Sequence, residues 1–195
     1  MSVPSVPPWF LPCERAGIRM LLYLRVALLA PGVMLHEFSH HIFCLLTGVR
    51  VHKVVYFRFG NPAGFVVHEE PEFYRQIFAI VAGPFLLNST VAIVLLNLSL
   101  REAVRASDAL QFGLVAAMIW LGVSAALQAL PSRADASNLL RSSTWHFLHG
   151  NPFAILGYPA ALAIYVAQLA KPLGSEWFYA LLMAYVAERG FIGLG

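Results

Sequence analysis

The chain has 195 residues, of which 59% are hydrophobic and only 12% are charged, and its net charge is +3. Ordinary globular chains are about half apolar and about a quarter charged, so a soluble domain of this size could not bury so much apolar surface. Composition therefore predicts an integral membrane protein. The basic residues are scattered between apolar runs and form no patch, so a nucleic-acid partner is not expected.

The first apolar stretch, residues 16–49, is interrupted near its middle by Pro31-Gly32. As a single helix it would reach roughly 50 Å at about 1.5 Å per residue, which is longer than a bilayer crossing requires. Proline also disrupts a helix interior. We therefore predict two helices in this stretch, at about 17–29 and 32–47.

Residues 51–68 change in pattern from apolar helix to strand. Strand-forming residues are dense from Val51 to Phe59, and the Gly60-Asn61-Pro62-Ala63-Gly64 turn separates them from Phe65-Val66-Val67. Alternation of such runs with a glycine-rich turn is typical of a β-hairpin. The sequence predicts a small hairpin at the membrane surface.

Four later segments are predicted as membrane helices. Residues 76–100 and 109–130 each exceed the roughly 20 apolar residues that a bilayer requires. Residues 152–170 and 176–191 are separated by Lys171-Pro172-Leu173-Gly174, which predicts a tight hairpin between them. The predicted fold is an all-α multi-pass membrane protein with five to six transmembrane helices, forming a single transmembrane domain over residues 1–195.

The distribution of basic residues predicts the orientation of these helices. If the spans alternate, one side carries more positive charge than the other, and the richer side is expected to be cytoplasmic. The hairpin falls on the richer side, whose basic residues are Arg50, Lys53, Arg58, Arg75, Arg133, Arg141 and Arg189, against Arg101, Arg105 and Lys171. This count leaves out Arg15 and Arg19, whose side depends on the course of the first helix.

A zinc-binding motif, His36-Glu37-Phe38-Ser39-His40, lies inside the second predicted helix. Residues four apart share one helix face, so both imidazoles can hold the same ion while Glu37 lies beside them as a base. The alternative is that these groups only hydrogen-bond within a helical bundle. Ionisable groups at bilayer depth are costly and usually functional, which favours the metal site.

A hydrolytic zinc ion normally takes three protein ligands, so two histidines require another. The chain has only two aspartates. Asp108 precedes the 109–130 segment on the far side of the membrane, whereas Asp135 follows that segment on the side where the histidine-bearing helix ends.

Three features in order resemble the three-helix core of site-2 proteases: His36 to His40, Ala82-Gly83-Pro84 with Asn88, and Leu130-Pro131 with Asp135. The resemblance covers residues 31–140. It implies that His36, His40 and Asp135 bind one zinc ion, that Glu37 is the catalytic base, and that the substrate is a transmembrane protein within the lipid bilayer. For Asn88 it leaves open a substrate contact and a helix-packing hydrogen bond.

An intramembrane substrate must unwind before cleavage, and its extended backbone then needs hydrogen-bond partners. The strand at 51–59 could supply them by edge pairing, so Val54, Val55 and Tyr56 are candidate substrate-binding residues. The segments at 17–29, 152–170 and 176–191 are predicted to be accessory helices around the 31–140 core.

Two other functions remain open at this stage. One is a membrane-anchored zinc protease of another clan, with Glu176 or Glu188 as third ligand. The other is a metal-binding scaffold or transporter, although the neutral polar residues that could line an ion path are few. The remaining acidic residues and histidines near the hairpin are expected at the wet surface, namely His68, Glu69, Glu70, Glu72, His146 and His149.

Overall fold

The computed structural model describes residues 12–192. This part of the chain is mostly helical, with one two-stranded antiparallel sheet, as predicted. Short 3-10 helices at Pro152–Leu156 and Lys171–Leu173 precede the last two α-helices. The elements in chain order are α1 (Pro12–Thr47), β1 (Val51–Val55), β2 (Phe65–His68), α2 (Tyr74–Ala103), α3 (Ala109–Leu127), α4 (Arg133–Leu148), α5 (Gly157–Leu169) and α6 (Ser175–Ile192).

Three helical segments within residues 12–192 are long and apolar enough to cross a membrane, namely α2, α3 and Pro152–Leu169. Large apolar side chains also cover the outside of the molecule, as at Leu46 and Leu110, which are 75% and 74% exposed. Such a surface suits lipid rather than water. The protein is therefore an integral membrane protein, although the predicted count of five to six transmembrane helices is not confirmed.

The prediction of separate helices at 17–29 and 32–47 is wrong, because α1 runs without a break through Pro31. The neighbouring helix α3 supplies partners for the backbone around the proline. Ser124 Oγ accepts from the Gly32 N–H at 2.9 Å and donates to the Leu29 carbonyl at 3.2 Å, while Trp120 Nε1 donates to the Leu28 carbonyl at 2.9 Å. Polar side chains from adjacent helices are what allow proline inside a membrane helix.

Contacts between side chains give the direction of the first three helices. Along α1 the partners in α3 advance together, from Leu28 with Trp120 to His36 with Gln128, so these two helices are parallel. The partners of α1 in α2 occur in the reverse order, because Gly32 contacts Asn88 whereas Thr47 contacts Gln76. Helix α2 is therefore antiparallel to both.

The predicted hairpin between the last two helices is also not observed. Tyr179 bonds to Ser89 and the Ala187 carbonyl accepts from Asn97, so α6 runs parallel to α2 and ends at the same side of the protein. Gln168, at the end of α5, bonds to the Pro131 carbonyl, close to the site described below. Gly157, at the start of α5, lies beside Tyr74 at the start of α2, so α5 also runs in the direction of α2. Helices α5 and α6 therefore follow one another in the same direction, and the turn between them has Leu173 90% exposed.

An ion cluster lies at this turn. Glu176, at the start of α6, is 8% exposed and binds Arg25 of α1 at 2.8 Å and Lys171 at 3.6 Å. Glu176 is the buried member of the cluster, and a buried charge needs pairing of this kind, which the more exposed Arg25 and Lys171 provide.

The new direction of α6 changes the charge count that predicted the orientation. Arg189 lies at the end of α6, near Asn97 and the side of Arg101, and not on the hairpin side. Lys171 lines an open pocket together with Arg133 and Gln128, at the end of α3 where α4 begins, so it does not lie at the opposite face. Arg15 and Arg19 lie near the start of α1, which is parallel to α3, so they belong to the side of Arg101 and the hairpin side leads by six basic residues to five.

Strands β1 and β2 form the predicted hairpin, with Val54 opposite Val66 and Val55 opposite Phe65. The strand that was predicted to extend to Phe59 ends at Val55. Helix α4, by contrast, was not predicted as a separate element. Its segment is the most polar of the helices, so hydrophobic length did not mark it, and the signal is instead the Ser132-x-x-Asp135 capping box at its start.

Candidate metal centre

His36 and His40 project from one face of α1 toward the same point. Their Nε2 atoms are 3.2 Å apart, as expected for residues four apart on a helix. His40 is 8% exposed and His36 is partly buried, so both rings are largely withdrawn from the surroundings. The pair therefore presents two nitrogen atoms to one small volume inside the protein.

Backbone carbonyls of two other helices hold the opposite nitrogen of each ring. His36 Nδ1 donates to the Gln128 carbonyl at 2.7 Å, at the end of α3, and His40 Nδ1 donates to the Ile80 carbonyl at 3.0 Å, within α2. A carbonyl oxygen can only accept, so each neutral ring carries its proton on Nδ1 and a lone pair on Nε2. This is the tautomer that a metal bound at Nε2 requires.

Asp135 completes the cluster from the first turn of α4. Its Oδ2 accepts from the Ser132 N–H at 2.7 Å, while its own N–H donates to Ser132 Oγ, and this capping box orients the carboxylate. Oδ1 lies 3.5 Å from His40 Nε2 and Oδ2 lies 4.0 Å from His36 Nε2. Burial alone would raise the pKa of the Asp135 carboxyl, but His40 and Ser132 outweigh it and hold the pKa well below its usual range.

The donor set fits a zinc ion. Ligand atoms of His36, His40 and Asp135 all lie within 4.8 Å of one another, and this is the only such group of three found among residues 12–192. Atoms placed tetrahedrally around zinc at its usual bond lengths lie roughly 3.3 Å apart, and the separations here are 3.2, 3.5 and 4.0 Å. A positive charge placed where the two imidazole lone pairs and the carboxylate converge would be stabilised by all three groups.

Glu37 lines the same cavity as His40 and Asp135, which has a volume of about 230 Å³. The backbone of the hairpin covers it closely, because a Cβ built on Gly64 would lie 2.6 Å from Glu37 Cγ. Only glycine permits this approach. Apolar side chains of α2 and the hairpin form the rest of the wall, including Ile77, Val81 and Val66.

Asn88 has no exposed surface and is held entirely by protein groups. Its Nδ2 lies within hydrogen-bond distance of the carbonyls of Gly32, Ala125 and Gln128, and its Oδ1 accepts from Ser39 Oγ. The side chain therefore joins α1, α2 and α3 beside the histidines. Of the two roles left open by the sequence, this arrangement corresponds to helix packing and offers no surface for a substrate contact.

The residues suggested for substrate binding lie in or just after β1, away from the cavity wall. Val54 and Val55 are paired with β2, and the Tyr56 hydroxyl bonds to His41 Nδ1 at 2.7 Å. His41 thus connects α1 to the hairpin. Among the hairpin residues, it is Pro62, Gly64 and the β2 residues Phe65, Val66 and His68 that line the cavity. The strand next to the candidate site is therefore β2 and not β1.

Of the residues expected at the wet surface, His68 instead lines the cavity, whereas the glutamates considered as ligands are engaged elsewhere. Glu69 pairs with Arg50 at 3.3 Å and Glu70 with Arg141 at 3.6 Å, on the exposed surface. Glu176 belongs to the ion cluster described above. Glu188 directly follows Ala187, whose carbonyl contacts Asn97 of α2. Asn97 is 17 residues along α2 from Ile80, which contacts His40, so Glu188 is far from the histidines. Neither glutamate of α6 lies with the histidines, which removes the alternative third ligands.

Comparison with known proteins agrees with this geometry. A family model described as Peptidase M50B-like matches residues 19–165, which is three quarters of the chain and includes all of the residues that form the cluster. No curated protein and no solved structure matches the chain.

Proposed function

The chain belongs to the Peptidase M50B-like family, and on that premise we propose that it is a zinc metalloprotease that hydrolyses peptide bonds in or near the transmembrane segments of other membrane proteins. The match to this family confirms the resemblance to site-2 proteases. The observation that carries the proposal is the convergence of His36, His40 and Asp135 on one point beside Glu37, inside a bundle of apolar helices.

In this proposal each residue has a defined role. His36, His40 and Asp135 would hold the ion. When bound, zinc supplies a Lewis acid that polarises a carbonyl and makes water acidic enough to lose a proton near pH 7. Glu37 accepts the proton of the attacking water, the carbon–nitrogen bond breaks, and Glu37 returns the proton to the leaving amine.

Removal of the metal tests the proposal as a whole. The purified protein in detergent is expected to contain one zinc ion per chain and to cleave a model transmembrane peptide. A strong chelator should abolish both properties, and one equivalent of zinc should restore them. His36→Ala should contain little zinc and be inactive under the same conditions. Wild-type protein that cleaves the peptide equally well without metal would contradict the proposal.

For the substrate we propose an unwound, extended segment that pairs with the free edge of β2. On the β2 side of the hairpin, the Glu69 N–H donates to the Arg50 carbonyl and the Ala63 carbonyl accepts from the Arg58 N–H. The backbone groups of odd-numbered residues in β2 therefore point toward β1. Alternation along a strand then directs the backbone groups of Val66 and His68 to the free edge. Val66 also lines the cavity that contains Glu37. Pairing to the backbone would give low side-chain specificity.

Val66→Pro removes the free-edge N–H of Val66 and is expected to lower cleavage of the model peptide about tenfold or more, because one ladder hydrogen bond is lost and its geometry is disturbed. Zinc content should stay the same. Val66→Ala keeps the backbone N–H and is the matched control, with activity within a few-fold of wild type. Equal cleavage by the proline and alanine variants would rule out pairing at this edge.

We further propose that the hairpin and the metal centre lie toward the cytoplasm, because six basic residues remain on that side against five at the other. These are Arg50, Lys53, Arg58, Arg75, Arg133 and Arg141, against Arg15, Arg19, Arg101, Arg105 and Arg189.

Single cysteines can test this orientation in a chain whose Cys13 and Cys44 are replaced by alanine. Cysteine at Gly60, in the hairpin turn, should react with an impermeant maleimide in inside-out vesicles only. Cysteine at Ser107, between α2 and α3, should react in right-side-out vesicles only. The reverse pattern would place the site on the opposite side.

A further inference from the structure

The carbonyl that holds His40 belongs to a residue in the middle of a helix, where carbonyls are ordinarily occupied. In an α-helix the oxygen of residue 80 accepts the N–H of residue 84. Residue 84 is Pro84, which has no N–H, although α2 continues through it. The Ile80 oxygen therefore lacks its helical donor and instead accepts from His40 Nδ1 at 3.0 Å.

The carbonyl that holds His36 is free for a different reason. Gln128 directly follows the last residue of α3, and the last carbonyls of a helix have no intrahelical donor. Its oxygen accepts from His36 Nδ1 at 2.7 Å. Both histidines are thus oriented by backbone oxygens that a helix leaves unpaired, one at a helix end and the other opposite a proline.

Close packing of the two helices allows the second of these bonds. A Cβ built on Gly83 would lie 2.6 Å from a ring carbon of Phe43 in α1, so only glycine lets the helices approach at this level. Gly83 therefore brings α1 near enough for His40 to reach α2, while Pro84 leaves the oxygen that His40 binds.

We propose that Pro84 is a positioning residue of the metal centre, which keeps the Ile80 carbonyl available to His40 and thereby fixes the ring with its Nε2 lone pair toward the ion. The importance of this role for zinc rests on the proposed function. The orientation of His40 itself does not, since it concerns the protein with or without metal.

Pro84→Ala restores an N–H that competes with His40 for the Ile80 oxygen. We expect zinc affinity, measured by competition with a chelator, to fall about 10–100-fold, the usual effect of losing the hydrogen bond behind a histidine ligand. In the metal-free protein, ¹⁵N NMR of labelled histidine should show His40 changing from the Nδ1–H tautomer to a mixture. A His40→Gln variant assigns the signal.

Pro31→Ala is the matched control, because Pro31 also lies inside a helix and leaves free the carbonyl of Ala27, nine residues before His36. Its tautomer signals and zinc affinity should match wild type. A second variant carries lactic acid in place of Pro84, so that residue 84 lacks both the N–H and the ring. It should resemble wild type, which separates the missing donor from the shape of proline.

Three results would overturn the inference. These are an Nε2–H tautomer of His40 in the metal-free wild type, unaltered tautomer and zinc affinity in Pro84→Ala, and a lactic acid variant that loses zinc as strongly as Pro84→Ala does. If Pro84→Ala does not fold, the tautomer of His40 in the wild type and the zinc affinity of the lactic acid variant still test the inference. Wild type that binds no zinc while His40 has the Nδ1–H tautomer would reject the proposed function and leave this inference standing.

Discussion

Glu37→Gln is expected to lower cleavage of a model transmembrane peptide by about 10²–10⁴-fold, the usual contribution of a general acid–base group. The amide has nearly the same shape as the carboxylate but cannot accept the proton of water. Glu37 lines the cavity that His40 and Asp135 share, yet it is not one of the three converging ligands. The zinc content of the variant, measured by elemental analysis, should therefore equal that of wild type.

Glu102→Gln is a suitable control for this variant. Glu102 is exposed at the far end of α2, where it pairs with Arg105 at 3.3 Å. The same change of charge there should leave both cleavage and zinc content unaltered. Full activity in Glu37→Gln with zinc bound would eliminate Glu37 as the base, and a loss of zinc would show that it acts as a ligand.

Asp135→Ala should reduce zinc affinity by at least about 100-fold, because removal of a direct ligand costs more than the 10–100-fold effect of an outer partner. Cleavage should fall with it. The same carboxylate also accepts from the Ser132 N–H, so the variant loses part of the cap of α4.

Ser132→Ala separates these two effects. It removes the Oγ that accepts from the Asp135 N–H and should cost ~1 kcal/mol of stability, as for other helix caps, while zinc stays bound. Glu176→Ala and Glu188→Ala should also retain zinc, since neither residue lies with the histidines. If Asp135→Ala retained zinc and one of the glutamate variants lost it, the third ligand would be that glutamate of α6 and not Asp135.

The residues that converge in the candidate site could be identified because the signals are local for the histidines and the chain has only two aspartates. His36 and His40 are four apart on a helix, and helical periodicity alone brings them to one face. Asp135 followed from the small number of aspartates and the alternation of spans. The carbonyls of Ile80 and Gln128 could not be found in the same way, because any residue has a carbonyl. For Ile80 the available signal is Pro84, four residues later.

The errors have a common physical origin in contacts between helices. Pro31 predicts a break when α1 is considered alone, but Ser124 and Trp120 of α3 bind the backbone around it. Lys171-Pro172 predicts a reversal, but Tyr179 and Asn97 align α6 with α2. In both places a partner distant in sequence outweighs the local preference of proline.

Apolar composition and the spacing of His36, Glu37 and His40 were enough to predict a membrane protein with a candidate metal site on one helix face, since solvent preference and helical repeat are properties of the chain at short range. The path of α1 through Pro31, the direction of α6, the burial of Asn88 and the strand beside Glu37 depended on how the helices pack. These features arise from hydrogen bonds between residues dozens of positions apart, and a polar group withdrawn from water must find such partners wherever the fold provides them.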